Sequence, residues 1–410
     1  MKLPYFFTVV IIADICHMSG AITLNMTCYY DTFSINRLGI ANYTIKDLEN
    51  GLPMCDNIIY GYVGIHPDTY EVITLHPLQS FQFALVKTLK SKYKKVKFIL
   101  SLGGDKDWEK PEKYLNLLEA GVAQKHKFIN SIRDILRKYK FDGFDLAYQL
   151  PKAFRQYGNR TSPGSRKTEY HRRQMTKLIE NLGRLLNKEN FMLSLTVLPN
   201  IAVKDHFNVT SIIHSVDFVT VAAFDFSLPQ NTPKQAYYLA PLYAIPNVSI
   251  QYRQSNVFHV LDQWKWSERM PTKKLNLGIA VFGRTWDTTK TLKDPHMPIT
   301  DFLNGPAPGG PRTRTPGLLA WPEICKKLPK ISKVSKKKYG NYAYRPGFTK
   351  RDQGLLITYE SPDSVLEKVK MAHSNGLGGV AIFDLTLDDF RGKCRGEKYV
   401  MLKAIRENLN

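Results

Sequence analysis

Short apolar runs alternate with amphipathic segments along most of the sequence, and the runs have the length and composition of buried β-strands. Helical periodicity separates several of them, over about residues 78–92, 122–140 and 362–375. Strands that alternate with helices predict a parallel sheet with helices packed on it. The predicted strands are residues 26–33, 57–65, 96–102, 141–151, 191–199, 216–226, 275–286 and 378–384.

The strand–helix alternation stops between about residues 287 and 355. Pro, Gly and Thr dominate residues 295–317, after which residues 320–328 predict a short helix and residues 339–344 a strand. A single α/β barrel with an insertion and a set of two or three average domains both fit a chain of 410 residues. Hydrophobic residues make up 43% of the chain, which is enough for a large core.

The first 21 residues have the pattern of a secretory signal peptide. Lys2 supplies a positive start, residues 4–15 form an apolar run that contains Asp14, and residues 19–21 offer a small-residue cleavage site. No later stretch reaches about 18 apolar residues, so we expect a secreted, extracellular protein without a membrane span. Five Asn-x-Ser/Thr sequons are candidate glycosylation sites: Asn25, Asn42, Asn159, Asn208 and Asn247.

The cysteines agree with an oxidising compartment. Cys16 lies in the signal region, which leaves an even set of four: Cys28, Cys55, Cys325 and Cys394. We expect two disulfides, in one of three connectivities. Metal binding is the alternative, but no Cys-x-x-Cys or paired-His spacing supports it.

Residues 141–151 read Phe-Asp-Gly-Phe-Asp-Leu-Ala-Tyr-Gln-Leu-Pro and place acidic side chains inside a predicted core strand. Buried carboxylates are costly unless they are hydrogen-bonded or functional. The run resembles the fourth barrel strand of the family 18 chitinases, whose pattern is Asp-Gly-x-Asp-x-Asp-x-Glu. Asp142, Gly143 and Asp145 match it, whereas Ala147 and Gln149 replace the third Asp and the Glu. The run is also similar to that of the insect imaginal disc growth factors, secreted chitinase-like proteins that have lost hydrolysis.

The resemblance implies that the reaction of the family is lost. In chitinases the Glu protonates the glycosidic oxygen, and the preceding Asp supports the N-acetyl group of the substrate during substrate-assisted hydrolysis. The amide of Gln149 has no acidic proton to give, and Ala147 offers neither a charge nor a hydrogen bond. We therefore expect no enzyme activity, because the agent of general acid catalysis is absent.

The same resemblance covers nearly all of the mature chain and implies the rest of the fold. It predicts a TIM (β/α)8 barrel with a small α+β insertion domain between strands 7 and 8. The expected division is a signal peptide in 1–21, strands 1–7 in 22–286, the insertion in 287–355, and barrel completion with strand 8 in 356–410. It also selects the pairs Cys28–Cys55 and Cys325–Cys394, since the family joins its first strand to the following helix and its insertion to its C-terminal segment.

Two further positions of the chitinase site differ from the family pattern. Phe224 lacks the hydroxyl that the Met-x-Tyr-Asp block uses on the N-acetyl carbonyl, and Phe383 stands where chitinases place the Trp that floors the central sugar subsite. The catalytic set is therefore degenerate, and no catalytic residue is assigned. A hydrogen-bonded structural network is the favoured role of the retained Asp142 and Asp145. The carbohydrate-binding candidates are Phe33, Gln149, Asp225, Arg284, Trp286 and Phe383.

Basic residues exceed acidic ones by 58 − 36 = 22, and such a surface favours anionic partners. Charge is concentrated in residues 152–177, expected as a loop on the active face of the barrel, and in residues 326–338 of the insertion. The candidate basic patch is Arg166, Lys167, Arg172 and Arg173. A solvated surface is the alternative. Because a secreted protein seldom meets nucleic acid, we expect acidic or sulfated glycans rather than nucleic acid as anionic partners.

Two functional classes remain open. The first is a secreted, non-catalytic growth factor, which in the resembling family promotes cell proliferation with insulin-pathway cooperation; its cell-surface receptor is unknown from the sequence. The second is a lectin-like protein that binds chitooligosaccharides or sulfated glycans without mitogenic action. No metal motif, phosphate-cradling loop or Ser/His/Asp order occurs, so we expect no metal and no cofactor.

Overall fold

The chain forms a parallel barrel and a second, antiparallel sheet in a computed structural model, which describes residues 23–104, 107, 110–147, 165–199, 201–246, 248–288, 297, 303–336, 339–347, 354–394 and 396–410. The strands are β1 (Asn25–Asp31), β2 (Asn57–Ile65), β3 (Val72–Ile73), β4 (Lys97–Leu102), β5 (Gly143–Leu146), β6 (Met192–Val197), β7 (Phe218–Val221), β8 (Leu275–Ala280), β9 (Phe282–Thr288), β10 (Leu303–Pro306), β11 (Leu318–Ala320), β12 (Ser332–Lys336), β13 (Gly340–Arg345), β14 (Gly354–Tyr359) and β15 (Gly379–Phe383). The α-helices are Ile45–Gly51, Gln79–Lys92, Glu112–Glu119, Val122–Tyr139, Arg166–Lys188, Val203–His206, Val209–Ile212, Ile250–Arg253, Val257–Asp262, Trp321–Lys327, Pro362–Ser374 and Val400–Arg406.

The barrel contains eight parallel strands. They lie side by side in the order β1, β15, β8, β7, β6, β5, β4 and β2, and β1 also pairs with β2, which closes the ring. Cys28 shows the closure, because it lies opposite Ile382 on one side and Ile58 on the other. Most strand residues are buried, since side chains fill the interior and helices cover the outside. The predicted fold class is confirmed.

The second sheet is antiparallel and follows directly on the barrel. Its order is β10, β9, β14, β13 and β12, and β11 pairs with β9 beside them. The prediction of one strand over residues 275–286 is therefore wrong: β8 ends at Ala280 in the barrel, and β9 starts at Phe282 in the second sheet. The apolar run hides this boundary because both strands are buried. β14 likewise belongs to the second sheet, and the predicted division at 286, 287 and 355 stays a prediction.

The basic segment after β5 is helical where the structure describes it. Ser165 caps the helix Arg166–Lys188, and its hydroxyl accepts a hydrogen bond from the N–H of Thr168 at 3.3 Å. Buried Leu178 and Leu182 belong to the face that packs toward the barrel. The prediction of a loop over residues 152–177 is thus wrong for residues 166–177, while residues 152–164 lie outside the described part.

Both disulfide pairings implied by the resemblance are present in the structure. Cys28 in β1 is bonded to Cys55, and Cys325 in the helix Trp321–Lys327 is bonded to Cys394. The predicted signal peptide, residues 1–21, lies outside the described residues. Within those residues, no helix combines the length and the apolar character that a bilayer crossing requires.

Candidate functional site

A buried carboxylate, Asp145 of β5, lies in the interior of the barrel and accepts hydrogen bonds from three hydroxyls. Ser101 of β4 donates at 2.7 Å, Ser194 of β6 at 2.8 Å, and Thr196 of β6 at 2.9 and 3.0 Å. The Asp145 side chain is fully buried. Three donors satisfy a carboxylate that would otherwise be costly at this depth.

Tyr29 extends this network to the first strand. Its hydroxyl lies 2.5 Å from the Thr196 oxygen, and because Thr196 donates to Asp145, Tyr29 donates to Thr196. Burial raises the pKa of Asp145 to about 6, although the hydrogen bonds from Ser101, Ser194 and Thr196 lower it. Burial also raises the pKa of Tyr29, and the neighbouring Asp145 adds to that effect. Each Asp145 oxygen thus accepts two hydrogen bonds within the barrel, and the structural role favoured for Asp145 stays a prediction.

Asp142 directly precedes β5. Its carboxylate accepts hydrogen bonds from the Lys90 ammonium at 2.8 Å and from the backbone N–H of Phe98 at 2.9 Å. These contacts join β5 to β4 and to the helix Gln79–Lys92, so they are structural as well. Ala147 follows β5 and is 3% exposed, and Gln149 lies outside the described residues.

Aromatic rings pack together above the network. Phe383 of β15 stacks on Tyr29 with ring centroids 3.8 Å apart and planes inclined by 20°. Phe224 meets the edge of Phe383 at 4.9 Å, and Phe282 meets Phe224 at 5.7 Å. Phe224 and Phe383 are each only 8% exposed. The two degenerate aromatic positions thus fill space in the barrel mouth, and Phe383 presents little of its ring to a ligand.

Asp225 and Arg284 form a bidentate ion pair beside these rings. Arg284 Nε donates to Asp225 Oδ1 at 2.8 Å, and Nη2 donates to Oδ2 at 2.6 Å. Asp225 has a φ of 59°, a left-handed conformation that Asp tolerates better than most residues, and its N–H donates to the carbonyl of Leu239. The guanidinium carbon lies 4.8 Å from the centre of the Phe282 ring. Because Arg284 is in β9, the pair joins the barrel mouth to the second sheet.

The two remaining carbohydrate-binding candidates, Trp286 and Phe33, differ in how deeply they are buried. Trp286 is fully buried in a second apolar cluster with Tyr237 and Leu356, and its indole N–H donates to the carbonyl of Thr232 at 3.3 Å. This burial conflicts with the expected sugar-binding role, because no ring face is exposed. Phe33 follows β1, is half-buried and contacts the ring of His76 at 4.6 Å.

The other predicted surface sites differ in exposure. Asn25 is exposed, Asn42 and Asn208 are half-buried, and Asn159 and Asn247 lie outside the described residues. In the basic patch, Arg166 and Arg173 are exposed on the helix Arg166–Lys188. Lys167 lies 3.4 Å from Glu119, and Arg172 lies 2.8 Å from Glu169. Among the residues that the structure describes, no group of three or more His, Cys, Asp or Glu could hold a metal ion.

The hydroxyl partners of Asp145 are site residues that the strand motif does not predict. Asp145 was found through its strand motif, but Ser101, Ser194 and Thr196 are short hydroxyl residues in neighbouring strands without a motif of their own. A usable signal exists, because Ser194 and Thr196 stand two residues apart and so share one face of β6. A buried acid in β5 then predicts hydroxyl donors on the inward faces of β4 and β6.

Comparison with known families identifies the class of protein. The family model described as glycosyl hydrolases family 18 matches residues 25–388, a range that runs from the start of β1 to beyond β15. The closed parallel barrel agrees with that match. The chain therefore belongs to glycosyl hydrolases family 18.

Similar proteins indicate the group within family 18 to which the chain belongs. The chain is 37% identical over 417 residues to the chitinase-like protein Idgf3 of Drosophila simulans, with 94% of each protein covered. It is 34% identical over 426 residues to imaginal disk growth factor 6 of Drosophila melanogaster, with 94% of this chain and 93% of that protein covered. These relatives place the chain among the chitinase-like proteins of the family.

Solved structures share the fold. The Group II chitinase catalytic domain 2 of Ostrinia furnacalis has a TM-score of 0.81 at 23% identity, and 94% of this chain and 96% of that chain are covered. Human YKL-39, described as a pseudo-chitinase with retained chitooligosaccharide binding properties, has a TM-score of 0.79 at 23% identity, with 94% and 99% covered. At these identities the likeness concerns the fold alone.

The raised pKa of Asp145 makes one pH dependence testable. A carboxyl group whose pKa is about 6 in the folded state and 3.8 in the reference state binds its proton more tightly when folded, so its contribution to stability falls as pH rises from about 4 to above 6. We expect the unfolding free energy of Asp145→Asn, minus that of the wild type, to increase by about 2–3 kcal/mol between pH 4 and pH 7. Urea unfolding at several pH values in this range measures the difference between the two unfolding free energies. The contributions of the other titrating groups are the same in both proteins and cancel. A difference that does not change with pH would contradict the proposed burial of the charge.

Proposed function

We propose that this chain is a secreted, catalytically inactive chitinase-like protein that acts as a growth factor and promotes cell proliferation. Relatives at 34–37% identity support it, because they are chitinase-like proteins and one is an imaginal disk growth factor. Their matches extend over nearly the whole length of both proteins. The signal-type pattern of residues 1–21 and the two disulfides support secretion.

The observation that carries the proposal is the chemistry at the end of β5. Asp145 is the retained carboxyl group, and its oxygens are occupied by the hydroxyls of Ser101, Ser194 and Thr196. The next inward position in the motif is the methyl group of Ala147, which is buried and has no proton to transfer. The sequence lacks both the catalytic acid and its supporting carboxylate, and this supports a function other than hydrolysis.

Cell stimulation tests the growth-factor role directly. Purified protein is added to cultured Drosophila cells over a range of doses, with and without insulin, and cell number is counted. We expect a dose-dependent increase that is larger when insulin is present. Protein whose disulfides have been reduced and blocked is the matched control and should be inactive. A flat response at every dose, from protein that remains folded, would contradict the role.

The absence of hydrolysis is tested on chitin oligomers. We expect turnover no higher than that of a catalytically dead chitinase, since a general acid contributes about 10²–10⁴-fold and Gln149 cannot act as one. Gln149→Glu alone should restore little hydrolysis, because Ala147 still gives no support to the N-acetyl group of the substrate. The matched comparison is the Gln149→Glu, Ala147→Asp double variant, which has both carboxyl groups of the chitinase pattern. Clear turnover by the unmodified protein would overturn the assignment as non-enzyme.

A second candidate function is the binding of sulfated glycans, and one surface favours it. Five exposed basic residues share one face of the helix Arg166–Lys188 at helical spacing, and we call them the basic stripe: Arg166, Arg173, Lys177, Arg184 and Lys188. The stripe is about 33 Å long, at 1.5 Å per residue over 22 residues. Such a row of positive charge suits an extended polyanion. The barrel mouth supports neutral chitooligosaccharides less well, since Phe383 and Trp286 expose little ring surface.

Heparin affinity chromatography tests this second function. Arg173→Ala with Lys177→Ala removes two adjacent charges of the stripe, and we expect elution at clearly lower salt than for the wild type. The wild-type interaction should itself weaken steeply, because the Debye length falls from about 10 Å at 0.1 M salt to about 3 Å at 1 M. Lys234→Ala with Lys273→Ala is the matched control, since it removes two exposed charges elsewhere. Equal elution of the two double variants would show that retention reflects net charge alone.

A further inference from the structure

A small cavity that the candidate site does not use is lined by two arginines. It lies where the segments that follow β1 and β15 meet a loop of the second sheet, and its polar lining comes from Arg37, Arg312, Thr313 and Thr386. The space open to the centre of a water-sized sphere is about 10 Å³. That is room for about one particle of the size of a water molecule, and it excludes a sugar.

The guanidinium group of Arg312 is buried, and its two terminal nitrogens have no hydrogen-bond partner among the described residues. The residue is 9% exposed, and its Nη1 and Nη2 atoms are buried without any hydrogen bond. The nearby carboxylate of Glu323 does not satisfy it, because Glu323 accepts the backbone N–H groups of Arg312 at 2.7 Å, Thr313 at 3.3 Å and Ala320 at 2.8 Å. The fold thus fixes the backbone of Arg312, a residue that lines the cavity, and leaves its guanidinium without a hydrogen bond to Glu323. A buried charge in this state is costly unless a ligand compensates it.

Arg37 adds a second positive charge to the same cavity. Its Nη1 donates to the carbonyl of Thr386 at 3.0 Å, and its Nη2 lies 3.8 Å from Asp31 Oδ2. The Thr386 hydroxyl donates to Asp384 Oδ1 at 2.6 Å and the Thr313 hydroxyl to the carbonyl of Leu318, so neither proton points to the cavity. Asp31 offsets part of the Arg37 charge, whereas no carboxylate of the described residues forms an ion pair with the Arg312 guanidinium.

We propose that this cavity binds a small monovalent inorganic anion, of the size of chloride, between the guanidinium groups of Arg37 and Arg312. An anion accepts hydrogen bonds from Nη1 and Nη2 of Arg312 and lowers the repulsion between the two arginines. A water molecule accepts the same hydrogen bonds but leaves the Arg312 charge uncompensated. The site ties the barrel to the second sheet through a bound ion, at a place distinct from the barrel mouth and from the basic stripe.

Anomalous diffraction locates the anion. Crystals of the full secreted protein are grown in chloride and soaked in bromide, which scatters anomalously and resembles chloride in size. We expect a bromide peak within contact distance of Arg312 Nη1 or Nη2 and of the Arg37 guanidinium. A cavity that holds only water, or no density, at high bromide concentration overturns the proposal.

Thermal unfolding supplies the solution test. At constant ionic strength, replacing gluconate, which is too large for the cavity, by chloride should raise the wild-type Tm by roughly 1–3 °C through preferential binding to the folded state. Arg312→Gln should lose this chloride-dependent rise, and its Tm in gluconate shows whether it folds. Arg314→Gln is the matched control, because Arg314 is exposed on the same loop, and it should keep the rise. If both variants keep the rise equally, or if the wild type shows none, the anion site is excluded.

Discussion

The buried carboxylate of Asp145 is the constraint on which the interior of this barrel depends. A carboxylate at that depth requires donors from its surroundings, and here the surroundings are the neighbouring strands β4 and β6. Thr196 passes the connection on to Tyr29 in β1, so one acid holds four strands in register through side chains. Replacing it with an apolar residue would leave Ser101, Ser194 and Thr196 facing each other without an acceptor. The three hydroxyl donors thus account for a buried acid at this position without any catalytic role.

The aromatic rings above the network follow from the same constraint. Tyr29 belongs to both layers, since its hydroxyl is held by Thr196 and its ring face by Phe383. Phe224 then fills the space beside Phe383 without needing a partner for a hydroxyl, because it has none. The barrel mouth has therefore become a packed apolar layer above a satisfied polar one. Such an arrangement stabilises the fold but leaves few groups that can act on a substrate.

Much of the fold could be predicted from sequence because barrel strands are buried on both faces and read as continuous apolar runs. The same property made β8 and β9 look like one strand, since no polar residue marks the crossing at Val281. The helix Arg166–Lys188 was hidden by its own charge, although Leu178 and Leu182 keep a helical period. Within the site, the motif predicted the position of Asp145 but not its three hydroxyl partners. The resemblance also suggested Trp286 as a carbohydrate-binding residue, and the structure buries its ring, a property that the sequence motif does not specify.

If the barrel does not hydrolyse glycans, as proposed, its surface is the part of the molecule that bears on function. The described barrel mouth holds packed aromatic rings and the Asp225–Arg284 ion pair, while the chain as a whole carries a formal charge of +22. Part of that charge is paired locally, as Lys167 is by Glu119 and Arg172 by Glu169, and such pairs add little to the field at a distance. The remaining positive charge includes the exposed basic stripe from Arg166 to Lys188 and, at the cavity, half-buried Arg37 with buried Arg312. A macromolecule can reach the exposed basic stripe, and salt screens its charge. The cavity at Arg37 and Arg312, in contrast, has room only for a small ion.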